Sequence, residues 1–325
     1  MKKATTTKIL VVRNDRFGEF LLNIPAIRAL KEGLPGTEVI AIVDESVAEL
    51  AKAVPYIDEV ISWGQGEHTF GQRLRLIISL RKRRIQSAVI LNPTREMNII
   101  TFLSGIPRRV GYDRKCPCLL TDRIKDRKHL ATKHEVEYNL ELAQLLGVGT
   151  ADLALSLEVD NDIIKSLLAR HNIAKSDYLI AIHPWTSDPR KQWPLEKFSE
   201  LAERLSGITL AKIIIVGRTD QQQRDAGIFS AGGHKLINFT GKTSLLELAA
   251  LLKICKLLIS GDSGPVHLAT CVNTPVVALF RNDLPGKGPK RWGPWGKRNL
   301  VIQKDKLDSI TVDEVIESAR EVLKR

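Results

Sequence analysis

Short runs of β-branched and aliphatic residues alternate along this chain with longer stretches whose apolar residues recur at helical spacing. That is the pattern of a parallel sheet covered by helices. Candidate strands lie at residues 9–13, 39–43, 60–63 and 88–91, and a second series at 179–183, 212–216, 257–260 and 276–280. The second series starts afresh after residues 152–166, so two Rossmann-like domains are expected, 1–160 and 161–325, with the last helix a candidate to pack back on the first. Ser244 with Glu247, and Thr311 with Glu314, have capping-box spacing, while Pro194 and Pro265 suit first helical positions. No short repeat or low-complexity tract interrupts the series. Ligands of open α/β sheets lie beyond the carboxyl ends of the strands, so the loops after Arg13, His183, Val216 and Ser260 are where chemistry is expected. Two such domains facing each other would form a cleft.

A length of 325 residues leaves room for two cores of ordinary size, which fits this division. The four cysteines, Cys116, Cys118, Cys255 and Cys271, are sparse, which favours a reducing compartment. Met1-Lys2-Lys3 imitates the start of a secretory signal, but the apolar run that follows ends at Arg13, so a cytoplasmic protein is expected. No stretch of about 18 apolar residues occurs.

Lysine and arginine exceed the acids by +12, unevenly. Arg73, Arg75, Arg81, Lys82, Arg83 and Arg84 crowd one predicted helix, and a second cluster runs from Arg108 to Lys128. Such a basic first half either is a solvated face or meets an anionic partner. Nucleic acid is the weakest candidate, because aromatics are scarce and none is interleaved with the charges as a stacking motif.

Three segments carry candidate chemistry. Leu258 to Ala269 reads as a buried strand, a tight turn at Ser260-Gly261-Asp262-Ser263-Gly264-Pro265 and a helix start. Glycine lets a ligand approach the backbone, Ser263 can cap, and free amides at the helix start favour a phosphate. Asp262 could hold sugar hydroxyls and His267 a phosphate oxygen. Val12 to Leu22 is again strand, turn and helix start, and places Glu19 either as a base or as an ordinary helix-start carboxylate. After His183, Arg190 and Lys191 can add positive charge beside the same phosphates, while Trp185 and Trp193 either serve the site or cover the core.

Three motifs are excluded. Gly241-Lys242-Thr243 resembles the end of a Walker A loop, but the glycine required five positions earlier is Leu236. Cys116-Pro117-Cys118 with His129 and His134 has too short a cysteine spacing for zinc. No Gly-x-Gly-x-x-Gly follows either first strand, which disfavours a nicotinamide enzyme.

Taken together, these residues resemble glycosyltransferase family 9, the ADP-heptose:lipopolysaccharide heptosyltransferases and their relatives. The likeness runs along nearly the whole chain: the opening Ile9 to Arg13 through Gly18, Pro25 and Ala26 to Lys31; Arg109-Val110-Gly111-Tyr112; and His183 with Lys191 and Trp193. Most specific are Gly241 to Leu245 leading to Asp262 to Ala269, then Thr274 to Phe280 and Arg291-Trp292-Gly293-Pro294.

The resemblance implies an α/β GT-B fold and an inverting, metal-independent transfer of a sugar, heptose from ADP-heptose in the best-known members. A nucleotide-diphosphate sugar would be the co-substrate, with no cofactor or metal. Asp262 would grip the donor sugar; His183, Thr186, Lys191, Gly217, Ser263, Gly264 and His267 would complete the donor site. Glu19 would be the base, with Lys191 and Asp262 the other catalytic residues. The family's usual base is an aspartate, which Glu19 extends by a methylene. After Gly217, where members often carry a glutamate for the ribose, this chain has Asp220, Gln221, Gln222 and Gln223. The first half would receive an anionic, lipid-linked saccharide through Arg16, Arg81, Arg84 and Arg109, at the cytoplasmic face of the inner membrane. A sugar-nucleotide epimerase and a non-catalytic nucleotide-sugar binding module are the alternatives.

Overall fold

The computed structural model describes residues 7–150, 152–208, 210–220 and 236–324. The chain falls into two units, Met1–Ala154 and Leu155–Arg325.

In the first unit the strands are β1 (Thr7–Arg13), β2 (Thr37–Val43), β3 (Glu59–Ser62), β4 (Ser87–Ile90), β5 (Arg108–Tyr112) and β6 (Asp122–Ile124). All pair in parallel, in the order β3-β2-β1-β4-β5-β6. The helices are α1 (Phe17–Leu21), α2 (Ile24–Gly33), α3 (Ala48–Lys52), α4 (Phe70–Arg83), α5 (Arg95–Leu103) and α6 (Glu135–Gln144). Alternate strand residues point to opposite faces. Thus Leu10, Val12, Ile40 and Ile42 share one core with Leu76, Ile77 and Leu80 of α4 and Met97 and Ile100 of α5.

The second unit repeats the scheme. Its strands are β7 (Leu179–His183), β8 (Lys212–Ile215), β9 (Leu236–Asn238), β10 (Leu257–Gly261), β11 (Val276–Arg281) and β12 (Leu300–Lys304), ordered β12-β11-β10-β7-β8-β9 and all parallel. The helices are α7 (Asn161–Arg170), α8 (Leu195–Ile208), α9 (Leu245–Ile254), α10 (Gly264–Cys271), α11 (Pro289–Trp292) and α12 (Val312–Lys324). Each unit therefore has the doubly wound order in which the chain leaves its first strand in both directions, placing a switch point between β1 and β4 and another between β7 and β10. Each unit is therefore Rossmann-like, as expected.

Four strands, β5, β6, β9 and β12, lie where no strand is expected from the sequence. Three are sheet edges, and β5 opens on Arg108 and Arg109, so none offers the continuous aliphatic run of a strand buried on both faces. Both expected capping boxes form. The last helix sets Val315, Ile316, Ala319 and Val322 into the second unit's core. Trp185 and Trp193 belong to that core as well, Trp193 fully buried with its Nε1 donating to Ile310 O at 3.2 Å. Cys255 and Cys271 are buried thiols. His134 has a local role, its Nδ1 accepting from Val136 N at the start of α6.

Candidate donor and base sites

In the second unit, the register sets Ser260 directly beside His183 at the carboxyl ends of β10 and β7. This is the switch point, where the connecting loops diverge and leave a crevice. His183 Nδ1 lies 3.2 Å from Ser260 Oγ and 3.1 Å from Ser263 Oγ, and the two hydroxyls are 2.9 Å apart. Burial pushes the imidazole down to about 4, so His183 is neutral near pH 7. It organises hydroxyls and brings no charge to a phosphate.

The charge comes from Lys191, whose Nζ donates to Asp262 Oδ2. Lys191 ends a short 3-10 turn, Pro189–Lys191, that Asp188 caps by accepting from Arg190 N at 3.2 Å. Burial pushes the Asp262 carboxyl above the usual range, and the Lys191 ammonium is the chief force opposing that shift. Lys287 also acts on Asp262 and donates to Asp188 Oδ2 at 3.2 Å, so it belongs to the same basic group. Sequence reasoning missed Lys287; its place between Gly286 and Gly288, in the turn after β11, was the available signal.

Ser263 occupies the N-cap position of α10, but its side chain does not cap; it is spent on Ser260 and His183 instead. Hence the helix start, with Gly264 first and Pro265 second, keeps amide capacity for an anion. His267, the fourth residue of α10, is buried. Thr186 is committed within its own loop: its Oγ1 donates to Asp188 O at 2.9 Å and its amide donates to Gln192 Oε1 at 3.1 Å. Gly261 makes a close approach, since a Cβ there would lie 3.1 Å from Thr186 Cγ2 and 3.5 Å from Lys191 O. One tight contact thus fixes the Lys191 loop against the Asp262 turn.

On the other side of β7, Gly217 follows β8, and its carbonyl accepts from Gly241 N at 2.8 Å. Gly241 has φ +70°, and a Cβ there would meet Thr219 Oγ1 at 2.6 Å, so glycine is needed on both counts. Asp220 is exposed and paired with Arg218 at 3.1 Å. Gln221, Gln222 and Gln223 lie outside the described residues.

In the first unit, the switch point is marked by Arg13 Nη1 donating to Leu91 O at 3.4 Å and by Asn92 Nδ2 donating to Asn14 Oδ1 at 3.5 Å. Arg13 is buried, with its Nε donating to Asp15 at 2.7 Å and Glu135 at 3.8 Å from its Nη1. Lys128, also buried, donates to Glu135 at 2.6 Å and lies over the Tyr112 ring at 4.5 Å. Glu19, the third residue of α1, is half-buried beside this group. Burial and then the Asp15 carboxylate raise its pKa, while Arg13 and Arg16 oppose them. Such a carboxylate is a better proton acceptor than an exposed glutamate.

The four arginines expected at an acceptor site are not brought together. Arg16 is exposed at the start of α1, near Glu19. Arg81 and Arg84 end α4, and Arg109 is the second residue of β5, so all three lie at the amino end of the sheet. That end is the length of a strand, about 15 Å at ~3.3 Å per residue, away from the carboxyl end where Glu19 sits. Arg109 is moreover engaged locally: its Nε donates to Leu119 O at 2.7 Å, its Nη1 to Ile106 O, and its guanidinium lies 5.3 Å from the Phe102 ring centroid. Helices of parallel α/β units run antiparallel to the strands, so basic residues in the last turn of α4 are carried away from the ligand end.

Comparison with known proteins places the chain in a family. The model of glycosyltransferase family 9 (heptosyltransferase) matches residues 73–317. Lipopolysaccharide heptosyltransferase 2 of Salmonella typhimurium is 25% identical over 87% of this chain and 85% of its own. The structure of E. coli ADP-heptose lps heptosyltransferase II superposes with a TM-score of 0.85 at 23% identity, covering 98% of this chain and 99% of its own. That of E. coli heptosyltransferase WaaC with ADP-2-deoxy-2-fluoro heptose gives 0.76 at 17% identity, covering 97% and 99%. At these identities the structural likeness speaks for the fold.

Proposed function

The chain belongs to glycosyltransferase family 9, and on that premise we propose that it moves heptose from ADP-heptose to a lipopolysaccharide-core or similar anionic saccharide. Transfer proceeds with inversion and without a metal ion, on the cytoplasmic side of the inner membrane. The observation that carries this reading is the Lys191–Asp262 pair set beside a hydrogen-bonded His183–Ser260–Ser263 cluster at the switch point.

A diphosphate placed there meets the Lys191 ammonium and the Gly264 amide at the start of α10, and Asp262 faces the sugar. Thr186 and Gly217 shape the loops around it, and His267 backs the helix start. Glu19 takes the proton of the acceptor hydroxyl. The new bond joins that oxygen to the anomeric carbon; the bond from that carbon to the diphosphate breaks, and its electron pair leaves on ADP. Neutralising the charge that develops on the leaving group lowers the barrier.

Incubation with ADP-, GDP-, UDP- and dTDP-sugars, with and without a core-saccharide acceptor, tests the reading by mass spectrometry. Heptosylated acceptor and ADP in equal amounts are expected. Isomerised donor formed without acceptor would assign an epimerase, and donor binding with no nucleotide release under any acceptor would assign a binding module.

A further inference from the structure

Six large apolar side chains stand exposed on two neighbouring helices of the first unit: Phe70, Leu74 and Ile78 on α4, and Ile99, Phe102 and Leu103 on α5. Their spacing follows the helix, so each set lines one outward face. The inward faces are already used, with Leu76, Ile77, Leu80, Met97 and Ile100 packed over the sheet. A surface helix turns polar residues outward once its apolar stripe is buried. Helices that are apolar on both faces are suited to a second partner.

The face is also preset. Phe70, 79% exposed, is the first residue of α4 and is held there by the Thr69–Gln72 capping box. The loop ahead of it is tied to α5 through Glu96, which accepts from Trp63 Nε1 at 3.2 Å and from Arg73 Nε at 2.7 Å. His68 stacks on Trp63 with ring centroids 3.9 Å apart.

Charge identifies the partner. No acidic residue occurs from Phe70 to Arg84, while Arg75, Arg81, Lys82 and Arg84 are exposed there and Arg95 starts the outward face of α5. Glu96, the acid of α5, is turned toward Trp63, His68 and Arg73. A second copy meeting this face through two-fold symmetry would set cations against cations. We propose that the outer face of α4 and α5 docks on an anionic bilayer, with the apolar side chains in the headgroup boundary and the lysine and arginines against lipid phosphates. Arg81 and Arg84, at the amino end of the sheet, thereby have a surface role. Among the described residues no helix is long and apolar enough to cross a membrane, so this contact lies in the interface plane. Both helices begin at the carboxyl end of the sheet, which also carries Glu19. Docking would hold that end beside a lipid-linked acceptor, a point that rests on the transferase reading.

Co-sedimentation of the full chain with phosphatidylethanolamine–phosphatidylglycerol vesicles, and with phosphatidylcholine vesicles, tests the proposal. Binding to the anionic vesicles alone is expected. Leu74→Gln/Ile78→Gln and Arg75→Gln/Lys82→Gln should each weaken it about tenfold or more, with melting temperatures within about 3 °C of the parent, since exposed positions are replaced. No binding, equal binding to neutral vesicles, or binding that neither variant weakens would overturn it. So would a dimer in analytical ultracentrifugation that Leu74→Gln/Ile78→Gln dissolves, which would give the face to a second copy. Sedimentation needs no turnover, so this result and the transferase reading fail independently.

Discussion

Lys191 and Asp262, 71 residues apart in sequence, share a hydrogen bond beyond the carboxyl ends of β7 and β10. The carboxylate is largely buried, and its pKa is held above the usual range by burial and restrained by this ammonium. An ammonium has three donors, so Lys191 can bridge Asp262 and an incoming phosphate. The ion pair thus keeps the cation aimed at the site before any ligand arrives.

Removing one partner exposes that coupling. Lys191→Ala should lower kcat/KM by roughly 10²–10³ and, by leaving a buried carboxylate without its cation, cost about 2 to 3 kcal/mol in chemical denaturation. Lys191→Met/Asp262→Leu should recover most of the stability and none of the activity. Additive losses of stability in the two single variants and the double would show that the pair is not coupled.

Gly261→Ala tests the close approach. The added methyl would press on Thr186 Cγ2 at 3.1 Å, and Thr186 is tied to the loop that carries Lys191. A stability loss of about 1 kcal/mol is expected from overpacking, together with roughly tenfold weaker donor binding by calorimetry, at about 1.4 kcal/mol per factor of ten. Unchanged donor affinity would mean that the loop yields freely.

His183 makes the second unit acid-sensitive. Its pKa falls from 6.5 to about 4 on folding because burial disfavours the cation. Between those values the unfolded chain binds a proton that the folded one does not, so stability is full above pH 6.5 and is lost as pH falls toward 4. The loss should reach roughly 3 kcal/mol, measured by denaturant titration across that window. In His183→Asn the slope from this residue should vanish; an unchanged slope would assign it elsewhere.

Glu19 should set the acid limb of the rate profile. Glu19→Gln should lower turnover by roughly 10²–10⁴ with donor affinity intact. The acid limb should lie above the range of an ordinary glutamate, because burial and Asp15 raise this carboxyl. Asp15→Asn removes a like charge and releases Arg13 to act on Glu19, so the limb should move to lower pH. Near-normal turnover in Glu19→Gln would remove this residue from the proton transfer.

Much of this was legible in one dimension. The central strands β1, β4, β7 and β10 are aliphatic runs buried on both faces, and the turns that follow β1 and β10 combine glycine, acid and helix start within a few residues. Those signals are local, so sequence carries them. Edge strands such as β6 and β9 span three residues each and owe their pairing to a neighbour distant in the chain, which no local pattern announces.

By itself, then, the sequence determined the alternation of strand and helix, the glycine turns, and the residues Lys191, Asp262 and Glu19 as candidates, since each is marked by its immediate neighbours. Only the tertiary structure decided which end of a sheet each charge occupies. Helix direction and strand order carry Arg81, Arg84 and Arg109 to the amino end, pair Ser263 with His183 in place of its own helix, and leave one apolar face of α4 and α5 uncovered. These outcomes depend on pairings and crossovers between distant segments, whose energies no short stretch of chain contains.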